Sequence, residues 1–295
     1  MPNYTYQPAL EDLGREAASI QLRERILNRI EPEWANNNAP GVIAEVMDRL
    51  RRYGIPLIDL EVGRREHQQH LKRARYRGLY PAYYAGNLNE KSFEHLVSMR
   101  LLAPSKADVF VDVASEGSPL PEIMQRLHHC TAYAQDIMYP TGVNGARIGG
   151  DACAMPVPDG FASRVALTCS LEHFEGDGDI RLFQELARIL RRGGKVAVVP
   201  LYLMDHPAVQ TDPVYSVSAN IEFDPEATVY CARGWGNRHG RFYSPETLRR
   251  RIFRPVGEAF SFSVYYLRDA AQIDASIYAR FALLGERRPE GGSRD

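Results

Sequence analysis

The sequence predicts an α/β fold: a doubly wound, mainly parallel sheet behind a helical N-terminal extension. Three observations predict it. Over residues 107–202, short apolar runs alternate with amphipathic stretches, as expected of strands joined by right-handed helical crossovers. The first hundred or so residues carry helical spacing instead. Two late apolar runs, 260–267 and 278–284, offer further strands.

Taken in order, residues 10–30 have the spacing of a helix with a mixed-charge exposed face. Pro40-Gly41 punctuates the chain, and 42–52 reads as a second helix. The stretch 61–77 is strongly charged and 91–102 amphipathic, with tyrosine-rich breaks at Tyr80-Pro81 and Tyr83-Tyr84. At Ala107 the texture changes. Residues 107–113 form a Val-rich strand, 119–129 a helix that tolerates Pro121 in its first turn, 131–135 a second strand and 146–149 a weak third. Residues 162–169 form a fourth strand and 180–192 a helix closed by Gly193-Gly194, which suit a positive-φ terminus. Residues 195–202 form a fifth strand, and Ser244-Pro245 starts a further helix as N-cap and first residue. The expected domains are an extension or lid at 1–104 and a sheet domain at 105–286. That domain holds an insertion at about 204–243, and 287–295 is a flexible tail.

Composition narrows the function. Lys and Arg number 36 against 37 acidic residues, a net charge of -1, so no strong overall charge draws the chain to nucleic acid. No apolar run has the length of a membrane span. Residues 1–13 lack the basic-then-apolar order of a secretory signal. Cys130, Cys153, Cys169 and Cys231 form no C-x-x-C pair, which fits free thiols in a cytoplasmic protein and no metal site.

In a sheet of this kind the ligand sits beyond the carboxyl ends of the strands. After the first strand comes Asp112-Val113-Ala114-Ser115-Glu116-Gly117-Ser118, small residues that let a ligand approach the backbone. After the second comes Asp136, 24 positions beyond Asp112, suited to accept hydrogen bonds from ribose hydroxyls. After the third come Asp151 and Ala152, an acceptor for an adenine amino group beside a small residue. After the fourth comes Ser170-Leu171-Glu172-His173-Phe174, and the next helix ends in a basic turn, Arg188 to Lys195.

In order and spacing these segments resemble the class I S-adenosylmethionine-dependent methyltransferases over about residues 107–202. The resemblance implies a Rossmann-like, seven-stranded, mainly parallel sheet, with the late runs as its final antiparallel pair. It implies S-adenosylmethionine as cofactor, with Asp112, Ala114, Ser115, Glu116 and Gly117 against its methionine part, Asp136 on the ribose, Asp151 and Ala152 at the adenine, and Ser170 nearby. Ser170 to Phe174 resembles the family's Leu-Glu-His segment. The chain departs from the family in the first loop, where Ala114, Glu116 and Ser118 stand in place of glycines, so the likeness is to a subgroup with a degenerate glycine loop.

Methyl transfer is a displacement at a sulfonium carbon, in which the protein positions the reactants and keeps the site dry. His173 is the candidate base, with Glu172 beside it; the same pair can instead brace the loop. The acidic loop 175–179 lacks the ligand count of a calcium site, and Asp179 reads as an N-cap. The segment 204–243 is long for a plain connection. It brings Trp235, Asn237, Arg238, Arg241 and Tyr243 together, a set suited to a polar or anionic acceptor, with Tyr202 at its start. The same segment can equally be a surface hairpin. The expected function is methyl transfer to a small-molecule acceptor, a hydroxyl of a sugar or natural product. No nucleic-acid or membrane partner is expected, and a homodimer through the N-terminal helices is a candidate. A non-catalytic cofactor-binding or scaffolding protein and a nicotinamide-dependent oxidoreductase are the alternatives, the latter opposed by the lack of G-x-G-x-x-G.

Overall fold

A computed structural model describes residues 30–31, 34–115, 117–219 and 221–289. The helix expected over 10–30 falls outside them apart from Ile30, as do Glu116 and the tail from residue 290 on.

The chain opens with β1 (Ile30–Glu31), α1 (Pro40–Arg52), β2 (Leu57–Glu61), α2 (Arg64–Ala74), α3 (Tyr76–Leu79) and α4 (Leu88–Leu102). The alternating stretch follows as β3 (Val109–Val113), α5 (Leu120–His128), β4 (Thr131–Asn144), β5 (Arg147–Gly149), β6 (Ala162–Thr168), α6 (Gly178–Ile189) and β7 (Leu190–Val199). An insertion supplies β8 (Ala208–Thr211), α7 (Pro213–Ser218), β9 (Thr228–Cys231) and β10 (Gly240–Phe242). The chain then closes with α8 (Pro245–Leu248), β11 (Phe260–Arg268), α9 (Ala270–Ile273) and β12 (Phe281–Arg287).

The main sheet runs β5-β4-β3-β6-β7-β12-β11-β2. Pairing is parallel except where β12 meets β7 and β11 and where the second limb of β4 returns along β5. Side chains alternate between the faces along each strand. Val111, Val113, Val165, Leu167, Val196 and Val198 join one core with α1 and α6. Phe110, Ala166, Ala197 and Val199 join the other, with α4 and α5. Burial on both faces explains why β3 and β6 read as continuous apolar runs.

Several expectations need correction. The sheet has eight strands among the described residues rather than seven. The extra one, β2, lies within the extension expected to be helical and pairs in parallel with β11, Leu57 opposite Val264. The helix α4, expected to be amphipathic, is buried almost all round, its charged Glu90, Lys91 and Glu94 included. Helix α6 stops at Ile189, before Gly193 and Gly194, which lie within β7. A Cβ on Gly194 would sit 2.7 Å from the Arg191 carbonyl and 3.1 Å from that of Ser163, so this glycine serves the close entry of the strand. The last strand starts at Phe281, leaving Tyr278 in the preceding loop, and reaches Arg287, the first residue of the expected tail. Strand β4 outruns its expected end at Gln135 and doubles back on β5, with Val143 opposite Ile148 and Asn144 opposite Arg147. Its bend exposes Ile137 and Met138.

The insertion and the N-terminal β1 together build a second sheet of order β1-β9-β8-β10. Ser244 caps α8 as its sequence predicts, accepting from the Thr247 amide at 3.2 Å within a capping box.

Candidate active site

Strands β3, β6 and β7 end at one level, Asp112 lying opposite Ala166 and Thr168 opposite Val199. The turns that leave this edge hold two L-residues in the left-handed region: Ala114 (φ 51°) after β3 and Cys169 (φ 48°) after β6. Such strained positions gather at ligand sites. Ala114 stands where the expected motif has glycine. Gly117, at φ 73°, supplies the remaining sharp turn. Gln135 ties the loops together. Its Oε1 accepts from Ala114 N (3.2 Å), its carbonyl from Ser115 N (2.9 Å), and its Nε2 donates to the Gly150 carbonyl (2.7 Å). Sequence reasoning missed Gln135, whose only signal was an amide at the buried end of a strand.

Buried polar atoms are nearly always hydrogen-bonded. Among the described residues five of the ten exceptions lie at or beside this edge: both Asp112 carboxyl oxygens, Ser170 Oγ, Glu172 Oε2 and, on the insertion beside it, His239 Nε2; the others are scattered over Asn38, Ser98, Glu246 and Arg287. Burial pushes the Asp112 carboxyl up to about 7; Ser118 opposes the shift, and Asp136 and Glu94 add to it. Burial likewise raises Glu172, against the pull of His173. An unpaired buried carboxyl suits a cationic or hydrogen-bond-donating ligand.

Asp136 is buried at the end of the first limb of β4, and its Oδ1 accepts from Met138 N at 2.9 Å. It lies opposite Gly149, so Asp151 and Ala152 follow on the neighbouring strand. Asp151 is exposed and holds its own turn, accepting from Cys153 N at 2.8 Å, while Ala152 is buried.

A buried polar cluster lies behind β6, and sequence reasoning missed most of it. Both Glu94 oxygens lie 3.2 Å from Lys91 Nζ. The Cys169 thiol donates to Glu94 at 3.1 Å and lies 3.6 Å from the Tyr202 hydroxyl and 3.7 Å from that of Tyr278. Burial pulls the Lys91 ammonium down, but Glu94, Cys169 and Tyr278 together outweigh it and the net shift is upward. Glu90 accepts from Tyr278 N at 2.8 Å and Ala279 N at 3.2 Å. The available signal was that apolar residues surround α4 on every side. A helix of that kind is buried, and its charges with it.

At the mouth, His173 Nδ1 donates to the His239 carbonyl at 2.6 Å, and His239 Nδ1 donates to the Glu172 carbonyl at 3.0 Å. His173 Nε2 lies 3.6 Å from Glu172 Oε1. Trp235 sits beside His173 with ring centres 5.9 Å apart, and Trp34 meets Trp235 edge-on at 6.4 Å. Gly240 makes room for the indole, into which a Cβ would run.

Three expectations fail here. Arg241, expected to bond an acceptor, is 2% exposed. It donates to Asp224 (2.8 Å), the Phe174 carbonyl (2.7 Å) and the Gly176 carbonyl (2.9 Å), so its donors are spent inside the protein. Tyr243, expected as a stacking face, is buried and donates to Asp179 at 2.8 Å. Asp179 is no N-cap: it lies inside α6 and accepts from Arg251 through Nε (2.9 Å) and Nη2 (2.7 Å). Arg238 is exposed and pairs with Glu175 at 2.5 Å, and Asn237 is exposed. Among the described residues no cluster of His, Cys, Asp or Glu is suited to a metal, and no helix is long and apolar enough to cross a membrane.

A family model described as a methyltransferase domain matches residues 116–198. No curated protein sequence matches the chain. Among solved structures, the chain is similar to 1,6-didemethyltoxoflavin-N1-methyltransferase of Burkholderia thailandensis, at 10% identity and a TM-score of 0.47, covering 79% of this chain and 94% of that one. It is similar to human N-acetylserotonin methyltransferase at 13% identity and a TM-score of 0.44, covering 94% and 67%. It is similar to the YcgJ protein of Bacillus subtilis at 13% identity and a TM-score of 0.41, covering 67% and 99%. The matched residues run from the first crevice turn almost to the end of β7, through the strands whose carboxyl edge carries the unpaired groups, and over this stretch the chain is similar to a methyltransferase domain.

Proposed function

We propose that this protein is an S-adenosylmethionine-dependent methyltransferase of class I that methylates a hydroxyl of a small molecule, a sugar or natural product, and that it belongs to a subgroup whose first loop has lost most of its glycines. One observation supports the cofactor placement: unpartnered buried polar atoms of Asp112, Ser170 and Glu172 and the left-handed Ala114 and Cys169 fall together at the carboxyl edge of β3 and β6. Asp112 would meet the ammonium of the cofactor's methionine moiety, with Ala114, Ser115 and Gly117 passing close by. Asp136 would hold the ribose, Asp151 and Ala152 the adenine, and Ser170 the near side of the methionine chain. Glu116 lies outside the described residues, and its assignment to the methionine end rests on the sequence. S-adenosylmethionine would supply an electrophilic methyl group, and the chain's own residues would orient the acceptor and exclude water.

The acceptor would lie between the edge residues Cys169, Tyr202 and Tyr278 and the aromatic mouth of His173 and Trp235. His173 Nδ1 is spent on a backbone carbonyl, which orients the ring and leaves Nε2 to take a proton from an acceptor hydroxyl, with Glu172 beside it. Calorimetry with S-adenosylhomocysteine and NAD in parallel tests the cofactor, and binding of NAD alone would overturn the placement. A hydroxyl-acceptor screen on wild type and His173→Ala then tests the chemistry. Turnover that survives in the alanine variant with an unchanged pH profile removes His173 as the base.

A further inference from the structure

The charged stretch of the N-terminal region has no part in the methyl-transfer site. Residues 64–77 hold six cations, Arg64, Arg65, Lys72, Arg73, Arg75 and Arg77, against one acid, Glu66, in a chain whose net charge is -1. Glu66 pairs with Arg100. The fold wraps part of this stretch around a cavity of about 640 Å³, lined by Arg64, Lys72, Arg75 and Arg77 together with His67 and Asn89. The turn between α2 and α3 makes this possible. Arg75 takes φ 56° there, a left-handed conformation that usually falls to glycine or asparagine, and the turn brings Arg75 and Arg77 to the same cavity as Lys72.

Among the described residues the only acid on the lining is Asp274. It already accepts from Asn89 Nδ2 (2.7 Å), Ser276 N (2.9 Å) and Ser276 Oγ (2.6 Å). Among the described residues, no carboxylate forms an ion pair with Lys72, Arg75 or Arg77. Asn89 lies in the first turn of α4, whose aligned peptide dipoles add positive potential on the same side. Concentrated, uncompensated cations around a concave space favour a compact polyanion, and guanidinium forks favour phosphate oxygens.

We propose that this cavity binds a phosphorylated small molecule through its phosphate or diphosphate group. The site lies outside the cofactor crevice and is joined by side-chain hydrogen bonds to a smaller neighbouring cavity. Tyr76 lines the cavity; its hydroxyl bonds His95 Nδ1 at 2.7 Å, and His95 Nε2 meets the Tyr83 hydroxyl at 3.3 Å. A second cavity of about 210 Å³ shares Arg77 and Asn89 with the first and is lined by Tyr83.

Titration calorimetry of the full chain with inorganic pyrophosphate, at constant ionic strength, tests the proposal. The expected result is saturable one-to-one binding with a Kd below about 1 mM. The double variant Arg75→Ala/Arg77→Ala should weaken it by about tenfold or more, with S-adenosylhomocysteine affinity and melting temperature unchanged because both side chains are exposed. A Lys72→Ala variant should weaken it less, which separates loss of contact from misfolding. Heats no larger than those of sodium chloride at matched ionic strength would overturn the proposal, as would equal affinity in wild type and variants. Tighter binding of a single-stranded oligonucleotide that the same substitutions abolish would also overturn it.

Discussion

Asp112 and Asp179 are both 0% exposed, yet their surroundings are opposite. Asp179 is saturated: Tyr243, Arg251 and Arg241 all converge on it, and Asp224 takes the other side of Arg241. That network locks the insertion, through Arg241, onto the carbonyls of Phe174 and Gly176 in the loop beyond β6. Asp112 has no hydrogen bond of ordinary geometry to either oxygen, and only the Ser118 side chain lies near enough to favour its charge. A buried charge completed by the protein itself is an anchor. One left incomplete costs folding free energy and is retained where a ligand completes it. On this criterion Arg241 and Tyr243 pass from the acceptor site to the scaffold, and Asp112, Ser170 and Glu172 remain the residues proposed to meet the ligand.

Substitutions on the two sides of this contrast should separate stability from binding. The largest effect is expected from Arg241→Ala, which leaves Asp224 and Asp179 short of a buried partner. Chemical denaturation should show a loss of about 3–5 kcal/mol; a variant of wild-type stability that lost only acceptor turnover would return Arg241 to the acceptor site. Asp112→Asn should act in the opposite direction on stability. The Asp112 carboxyl is raised from 3.8 to about 7 in the folded chain, so below about pH 4 it is protonated in both states and costs nothing. Between about pH 4 and 7 only the unfolded chain ionises, and stability falls as pH rises. The asparagine variant should therefore be the more stable protein at pH 8, by at most about 4 kcal/mol, and equal to wild type near pH 4. Its affinity for S-adenosylmethionine should drop. A variant less stable at pH 8 would mean that the carboxylate has a partner in the folded state.

Asp136→Ala is expected to weaken S-adenosylhomocysteine binding by about 1–3 kcal/mol, read by calorimetry on a folded variant; unchanged affinity would remove it from the site. The smallest effect belongs to Asn237→Ala, an exposed position on the insertion, where stability should change by less than about 0.5 kcal/mol. Paired with Trp235→Ala, it sharpens the map of the mouth. The indole variant should lose acceptor turnover with cofactor affinity intact, and an equal loss in both variants would spread acceptor recognition along the whole segment.

The order of strands and helices from Val109 to Val199 was legible in the sequence because each element repeats a local period. Buried parallel strands are continuous apolar runs, and α6 carries a one-sided stripe. The turns that hold Ala114, Asp151 and Ser170 followed from the same reading, since a parallel sheet presents its ligand at the strand ends, whereas Asp136 proved to lie inside the longer β4. Strand β2 was not legible, because Leu57–Glu61 becomes a strand only by pairing with β11 some two hundred residues later. Nor was the role of the charges on α4. Glu90, Lys91 and Glu94 look solvated in isolation, and only packing against β6 and β7 takes them out of water and brings Glu94 to Cys169. For Arg241 the sequence supplied a guanidinium among aromatic residues, and the tertiary structure alone decided whether its donors faced a ligand or Asp224 and the loop carbonyls. Period and turn chemistry are properties of neighbouring residues and can be read along the chain. Whether a buried charge has a partner depends on residues distant in sequence, and only the folded chain brings them together.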